Sequence, residues 1–199
     1  MKLPAEFYLN EDVEQVAREL LGSVLVTYIN GQRCSGIIVE TEAYAGVNDK
    51  ASHAWNGRRT KRTETMYLPG GHAYVYLIYG IHSLFNVVTN KPGIPHAVLI
   101  RAIEPLEGIG TMLTRRKMRE IKYNLCAGPG LLTQALAIRT DHSGIDLQGD
   151  TIWIEAGKQK TEAAQIVSRP RVGVGYAAED ARLPRRYSIK GNPWVSPKK

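Results

Sequence analysis

Cysteine is scarce in this sequence, with two residues, Cys34 and Cys126, in a chain of 199. They do not stand at the short spacing typical of a zinc site, and two thiols do not make a disulfide scaffold for a chain of this size. No histidine or cysteine cluster has metal-ligand spacing, and no glycine-rich fingerprint indicates a nucleotide. We therefore expect a protein of a reducing compartment that uses no metal and no cofactor.

Long apolar runs are also missing. No stretch approaches the roughly 18 consecutive apolar residues of a membrane-spanning helix. The first residues, Met1–Glu6, contain no apolar core of the kind found in a secretory signal. The expected location is therefore the cytoplasm, with no membrane partner.

Positive charge, by contrast, is plentiful. The 26 lysines and arginines exceed the 19 acidic residues, so the formal net charge is +7. A cationic chain favours an anionic partner, although many basic clusters are only solvated surface. The cations concentrate in four places: residues 58–62, 115–122, 182–186 and Lys198-Lys199.

The length predicts one domain, spanning residues 1–199, with room for a sizeable core. A helix is predicted from an N-cap at Asn10 to Gly22, and Asn30-Gly31 favours a tight turn between two strands. The acidic residues that follow are then expected at the end of this hairpin. Further elements are predicted at 97–103 (strand), 107–122 (basic helix), after Pro129 (short helix), and at 152–154, 172–174 and 187–189 (short strands).

The stretch from Glu40 to Asn90 contains most of the residues suited to chemistry. If the strand at 37–39 continues, Glu40, Glu42 and Tyr44 point to one face, because side chains alternate along a strand. Two carboxylates on one face repel, so one of them needs a raised pKa or a cationic partner. A solvated strand face fits this segment equally well.

A second segment of this stretch, Ala73–Gly80, is a strand rich in tyrosine. Tyr74 and Tyr76 share one face, and Tyr79 lies on the other. Three buried tyrosines are compatible with a core, but their hydroxyl groups would all need partners. A cationic groove suits them better, because aromatic rings stack on nucleobases while lysine and arginine hold phosphates.

Residues 45–65 between the two segments form a long polar connection, which in a compact domain is usually functional or disordered. His53 lies within it. Taken alone, a histidine in a loop is more often a surface residue than a base or a ligand.

Together, these motifs resemble the alkyladenine (3-methyladenine) DNA glycosylase family. The resemblance covers most of the chain in the right order, which is far more specific than any single motif. It rests on Glu42-Ala43-Tyr44, His53, Tyr74–Gly80, Asn86, Arg101–Pro105, Leu125–Pro129, Arg171–Gly175 and Gly191–Val195.

The resemblance implies a fold and an activity. The fold is a single α+β domain with a curved, largely antiparallel sheet flanked by helices, and the DNA wedge lies on a protruding hairpin. The activity is flipping of a damaged purine out of double-stranded DNA and hydrolysis of its N-glycosidic bond. The implied substrates are 3-methyladenine, 7-methylguanine, hypoxanthine and ethenoadenine, and the implied enzyme is a nucleoid-associated monomer.

The resemblance also assigns roles to individual residues. Glu42 matches the general base that activates water, and Arg101 and the carbonyl of Val172 match the other ligands of that water. Tyr79 matches the wedge that fills the gap in the DNA. The base pocket is matched by Tyr44 on one side, His53 and Tyr76 on the other, Tyr74 as the partner of His53, and Asn86 as the block to the guanine 2-amino group.

Some expectations come from this sequence alone. We expect Arg58 and Arg62 to contact phosphates, and Glu40 to be dispensable beside Glu42. Two other functions stay open at this point. A glycosylase-lyase would use a lysine amine, for which no position matches, and a catalytically silent minor-groove or RNA-binding module would not need Glu42.

Overall fold

The computed structural model describes residues 1–196, so the Lys198-Lys199 cluster lies outside it. Within these residues the chain forms an eight-stranded sheet in which all the paired strands are antiparallel. The strands are β1 Val24–Ile29, β2 Gln32–Tyr44, β3 Ala73–Ile78, β4 His82–Thr89, β5 His96–Glu107, β6 Ile152–Glu155, β7 Ile166–Arg169 and β8 Arg186–Ile189. The helices are α1 Ala5–Tyr8, α2 Val13–Glu19, α3 Ile109–Arg115 and α4 Pro129–Leu136, and 3₁₀ turns supply most of the remaining regular structure.

The long strand β2 lies at the centre of the sheet. Along the main path of the sheet, neighbouring strands follow the order β3-β4-β5-β2-β1-β6. One edge of β2 pairs with β5, whereas the other pairs first with β1, up to Ile37, and then with β8, at residues 40–42. Because β2 changes partner partway along, the sheet curls around its second half. The acidic residues therefore lie inside a strand, and not at the end of a hairpin as the sequence predicted.

Two bulges in the β2–β5 ladder lie where the acidic residues begin. Glu40 pairs with Ala102 and Thr41 with Ile100, so Arg101 is an extra residue on β5. Val39 is similarly extra on β2. A bulge bends its strand and redirects the neighbouring side chains. These two bulges break the simple alternation assumed for Glu40 and bring Arg101 towards the acidic residues.

The core lies between the sheet and its helices. α2 packs against β2 and β5, and α4 packs against β4 and β5. The helix predicted after residue 10 is present, but its N-cap is Asp12, whose carboxylate accepts from the amides of Glu14 and Gln15. Asn10 instead accepts from the amide of Asp12. The predicted turn at Asn30-Gly31 is confirmed, with positive φ at both residues.

Two predicted elements were wrong. The basic helix expected at 107–122 is limited to α3, because β5 continues through Glu107 and Lys117 adopts a φ of +52° just after the helix. The strand expected at 172–174 is a loop, and the nearby strand is β7, which ends at Arg169. Both errors arise where the residue types suit more than one conformation and tertiary pairing decides.

The architecture confirms the predicted α+β class, with a curled antiparallel sheet flanked by a few helices. β3 forms one edge of the sheet, and the β3–β4 hairpin carries Tyr79 at its tip. In the described part of the chain no helix is long and apolar enough to span a membrane.

Candidate active site

A cleft of about 1290 Å³ lies on the curled part of the sheet. Strands β2 to β5, the polar loop after β2 and the loop after β7 all contribute to its walls. Most of the residues assigned from the sequence line it: Glu42, Tyr44, His53, Arg62, Tyr74, Tyr76, Tyr79, Asn86, Arg101 and Val172. The remaining one, Arg58, lines a smaller adjoining groove of about 360 Å³. The fold therefore gathers residues that are up to 130 positions apart in sequence.

Glu42 lies at the bottom of this cleft and is fully buried. Its Oε1 accepts a hydrogen bond of 2.8 Å from the Val172 amide and lies 3.3 Å from Nη1 of Arg101. Its Oε2 accepts a 2.8 Å hydrogen bond from the Tyr44 hydroxyl. Burial raises the pKa of this carboxyl, and Arg101, the Val172 amide and Tyr44 oppose the rise. The Glu42 carboxylate is therefore held in place and is a stronger base than that of an ordinary glutamate.

Val172 contacts Glu42 through its backbone N–H. The resemblance had assigned its carbonyl group to the attacking water, so the residue has a second contact that the sequence did not predict. The N–H fixes the orientation of the carboxylate.

Arg101 connects Glu42 to the second acidic residue, Glu40. Glu40 is also fully buried, and its Oε1 lies 3.4 Å from Nε of Arg101 and 3.1 Å from Nη1 of Arg186. Its Oε2 accepts a 2.9 Å hydrogen bond from the Ser196 amide. Two buried carboxylates thus share one guanidinium, which resolves the repulsion expected from their proximity. The roles of Arg186 and Ser196 were not predicted from the sequence.

Three aromatic side chains form one wall of the cleft. The rings of His53 and Tyr76 meet edge to face with centroids 4.6 Å apart, and Tyr74 lies 5.4 Å from Tyr76. Nδ1 of His53 lies 2.9 Å from the Tyr74 hydroxyl, as the resemblance implied. Nε2 of His53 lies 3.2 Å from Nη2 of Arg62, and because arginine can only donate, the proton of the neutral ring resides on Nδ1.

His53 is neutral at physiological pH. Burial, followed by the charges of Arg62 and Arg58, lowers its pKa to about 4. The guanidinium of Arg62 also lies 4.8 Å from the centre of the Tyr76 ring. Arg62 is therefore positioned at the wall of the cleft, in contact with the predicted base pocket.

An ion pair supports Tyr44, which also lines the cleft. Both Arg171 and Asp49 have fully buried side chains, and Nη2 of Arg171 donates to Oδ1 of Asp49 at 2.9 Å. The Arg171 guanidinium lies 4.8 Å from the centre of the Tyr44 ring and also donates to the carbonyl of Ala43. Asp49 was missed from the sequence, because nothing in a polar loop indicates a partner 122 residues away.

Asn86 is buried on β4 at the cleft. Its Nδ2 donates to the carbonyls of Tyr74 and Leu84, so the amide group cannot turn freely. A fixed, buried side chain here restricts the shape of a ligand that can enter this part of the cleft.

Tyr79 projects from the tip of the β3–β4 hairpin and is 86% exposed. The sequence predicted that Tyr79 lies on a strand face, but strand β3 ends at Ile78. Tyr79 lies instead in the turn with a φ of +52°, followed by Gly80 at +71°. The Ile81 amide donates to the Ile78 carbonyl and closes a tight turn, in which a tyrosine at positive φ is strained. Ile81 beside it is 73% exposed. A strained backbone that holds an exposed aromatic ring indicates a functional constraint on Tyr79.

The basic clusters differ in their surroundings. Arg58 has no ion pair within residues 1–196, whereas Arg59 pairs with Glu64. In the 115–122 cluster, Arg115 donates to the carbonyl of Ala135 and Arg116 to those of Asn124 and Leu125. These two arginines therefore stabilise the fold.

Several polar residues outside the cleft have structural contacts. Asn192, to which the sequence gave no role, donates a 2.8 Å hydrogen bond to Oε2 of Glu104. Cys34 and Cys126 are both buried and free, and burial raises the pKa of Cys126 to about 12. Residues 1–196 contain no group of three or more histidine, cysteine, aspartate or glutamate side chains that could hold a metal ion.

Comparison with known proteins identifies the family. The family model for methylpurine-DNA glycosylase matches residues 6–193. A Clostridium acetobutylicum protein is 52% identical over 98% of both chains, and a Chlamydia abortus protein is 50% identical over 94% of this chain and 97% of its own. A Bacillus cytotoxicus protein is 45% identical over 98% of this chain and the whole of its own. All three relatives are named provisionally as 3-methyladenine DNA glycosylases. The match confirms the family and enzyme class predicted from the sequence: this chain belongs to the methylpurine-DNA glycosylase family.

Proposed function

We propose that this protein is a monofunctional DNA glycosylase that removes damaged purines by direct hydrolysis of the N-glycosidic bond. The observation that carries the proposal is the position of Glu42, a buried carboxylate at the base of an aromatic cleft whose rim carries the exposed Tyr79. A target base inside a duplex must leave the stack before it can enter such a cleft. Tyr79 replaces part of the lost stacking when it enters the gap.

Inside the cleft, the flipped purine lies between Tyr44 and the pair His53 and Tyr76. A purine methylated at N3 or N7 carries positive charge, which aromatic faces stabilise. Because His53 is neutral, it adds no further positive charge to that of Arg62, which already lies against Tyr76. Asn86 excludes an ordinary guanine by obstructing its 2-amino group.

Cleavage passes through a state in which the sugar carries developing positive charge. The carboxylate of Glu42 stabilises that charge and accepts a proton from a water molecule. The C1′–N bond breaks, its electrons leave with the purine, and the hydroxide adds to C1′. A cationic methylated purine departs neutral, whereas hypoxanthine or ethenoadenine departs as an anion and takes up a proton from solvent. The products are the free base and an intact strand with an abasic site, and Glu42 releases its proton to solvent.

The proposed substrates are 3-methyladenine, 7-methylguanine, hypoxanthine and ethenoadenine in double-stranded DNA. We propose that the enzyme acts as a monomer, in the cytoplasm and associated with the nucleoid. Arg101 and the carbonyl of Val172 are the proposed further ligands of the attacking water. Arg58 and Arg62 are the proposed phosphate contacts.

The proposal is tested by single-turnover cleavage of duplexes that each carry one of the four lesions. The Glu42→Gln variant should keep its affinity for the lesion and lose about 100-fold or more in rate, the scale of one acid–base group. If the unmodified enzyme excises none of the lesions and binds damaged and undamaged DNA equally, the protein is a binding module.

A trapping experiment separates direct hydrolysis from a lyase mechanism. With chelator and borohydride present, we expect excision to proceed and no covalent adduct to form. A borohydride-dependent protein–DNA adduct would instead show a lysine Schiff base. Loss of activity in chelator, restored by a divalent metal, would also contradict the proposal.

A further inference from the structure

Two arginines face each other on the short strand pair that borders the active-site cleft. Arg169 ends β7 and is directly opposite Arg186, the first residue of β8, in the antiparallel register. Both side chains line the cleft. Like charges directly opposite each other on neighbouring strands destabilise a sheet. Two facing guanidinium groups repel each other less when an anion binds between them.

Protein groups supply only part of the required negative charge. Nη1 of Arg186 pairs with Glu40 at 3.1 Å, and its Nε donates to the carbonyl of Pro170 at 3.0 Å. Arg169 has no carboxylate within 4.0 Å in the part of the chain that the structure describes. Glu40 is already shared with Arg101, so it cannot compensate Arg169 as well. The guanidinium of Arg169 is therefore available to an anionic ligand.

A third polar group lies at the same part of the cleft. Ser196 lines the cleft with only 8% of its surface exposed, and its Oγ has no hydrogen-bond partner among residues 1–196. Its backbone amide is fixed by Glu40, the same carboxylate that holds Arg186. This hydroxyl is closed to solvent, so it can donate to a ligand only after its side chain rotates towards the cleft, and an unpaired buried hydroxyl favours such a rotation.

We propose that Arg169, Arg186 and Ser196 form a subsite for a phosphodiester group of the damaged strand, next to the flipped nucleotide. The inference rests on the proposed function, because it presumes DNA in the cleft. The planar guanidinium of Arg169 can donate two bonds to phosphate oxygens at once. Arg186 adds one through Nη2, because its Nε and Nη1 are already bound to Pro170 and Glu40. The Ser196 hydroxyl is a further donor. This subsite is separate from Arg58, which lies in the smaller groove on the His53 side.

The position of the subsite links DNA binding to the general base. Arg169 is three residues before Val172, whose amide holds Glu42, and Arg186 contacts Glu40, which holds Arg101. A phosphate bound there would fix the loop and the charge network on which Glu42 depends. The subsite therefore positions the sugar of the target nucleotide over Glu42.

The test uses duplexes in which one phosphate at a time, on either side of the lesion, is replaced by an uncharged methylphosphonate. Binding is measured with Glu42→Gln protein, which does not cleave, with and without Arg169→Gln. We expect one flanking position at which neutralisation weakens binding by about tenfold in the parent protein, the scale of a charged hydrogen bond. At that position the Arg169→Gln protein should show little further loss.

Lys158→Gln is the matched control, because it removes one positive charge from the exposed loop after β6, outside the cleft. Arg169→Gln should lower the slope of log affinity against log salt by about one, whereas Lys158→Gln should not. Arg169→Lys should keep most of the slope. If Arg169→Gln and its parent respond alike to methylphosphonate at every flanking position, the subsite is refuted.

The binding experiment does not depend on excision. If the enzyme with Glu42 intact excises no lesion but the methylphosphonate effect is present, the glycosylase proposal fails and the phosphate subsite stands. Titration with inorganic phosphate distinguishes a second source of the same anion. Phosphate that binds the parent but not Arg169→Gln, and that leaves duplex affinity unchanged when bound, would show a site for free phosphate and overturn the phosphodiester assignment.

Discussion

Glu42 depends on its neighbours for its ionisation as much as for its position. Burial raises its pKa, so the acid limb of the cleavage profile should lie at higher pH than for an ordinary glutamate. The Tyr44 hydroxyl opposes that rise by donating to the ionised carboxylate. A base that must be ionised loses activity as the pH falls through its pKa.

Tyr44→Phe should therefore move the acid limb of single-turnover cleavage further towards high pH, since it removes a donor that favours the ionised form. The ring, and its stacking surface, stay in place. Tyr28→Phe removes a hydroxyl from an exposed residue of β1 and serves as the control. An acid limb that stays fixed or moves towards low pH in Tyr44→Phe would contradict this prediction.

Glu40 has a larger role in the structure than the sequence suggested. It is fully buried and joins Arg101, Arg186 and the Ser196 amide. Glu40→Gln should reduce the free energy of unfolding by about 3 kcal/mol, because breaking a buried pair leaves uncompensated charge. Urea denaturation measures the change.

The control for this prediction is Glu107→Gln, which removes an exposed ion pair with Arg33 at the end of β5. Its effect should be within about 1 kcal/mol. Equal stability of Glu40→Gln and the unmodified protein would show that the buried network adds nothing to folding.

At the scale of elements, the β3–β4 hairpin combines strain with exposure. Tyr79 occupies the left-handed region at a cost of about 1–2 kcal/mol, with its ring in solvent. Tyr79→Gly should raise the free energy of unfolding by about 1 kcal/mol, because glycine adopts positive φ without strain. It should also weaken excision of a paired lesion.

Excision of a lesion placed opposite a gap is the control for Tyr79→Gly. Unstacking is already inexpensive there, so the loss of the wedge should have little effect. Excision and unfolding are measured on the same preparation. Equal losses on paired and unpaired lesions would show that Tyr79 does not act as a wedge.

At the scale of the whole molecule, the net charge of +7 predicts that binding to undamaged duplex weakens steeply with salt. Arg58→Gln should lower the slope of that dependence by about one, because its guanidinium has no ion pair in residues 1–196. Affinity is measured by fluorescence anisotropy over a range of salt concentrations.

Arg116→Gln tests whether charge alone explains the salt dependence. Its guanidinium is bound to backbone carbonyls beside α4, so this change should leave the slope nearly unchanged and lower stability instead. A slope that falls equally in the Arg58 and Arg116 variants would show that net charge decides, without a defined contact surface.

The sequence by itself determined the family, the α+β class and many of the residues gathered in the cleft, although not Arg169, Arg186 or Ser196. The family and the residue roles came from the resemblance of several motifs in the right order. Local chemistry accounts for the elements, because Asn30-Gly31 supports only a few turns and β-branched runs favour strands. Those features act over a few positions and can be read along the chain.

The tertiary structure alone decided how the charges are paired. Nothing near Glu40 in sequence indicates that a bulge places Arg101 beside it, or that Arg186 and Ser196 complete its contacts. The same holds for Asp49 and Arg171, which are 122 residues apart. Such pairs form because buried charge must be compensated, and the partner is whichever residue the folded sheet brings within reach.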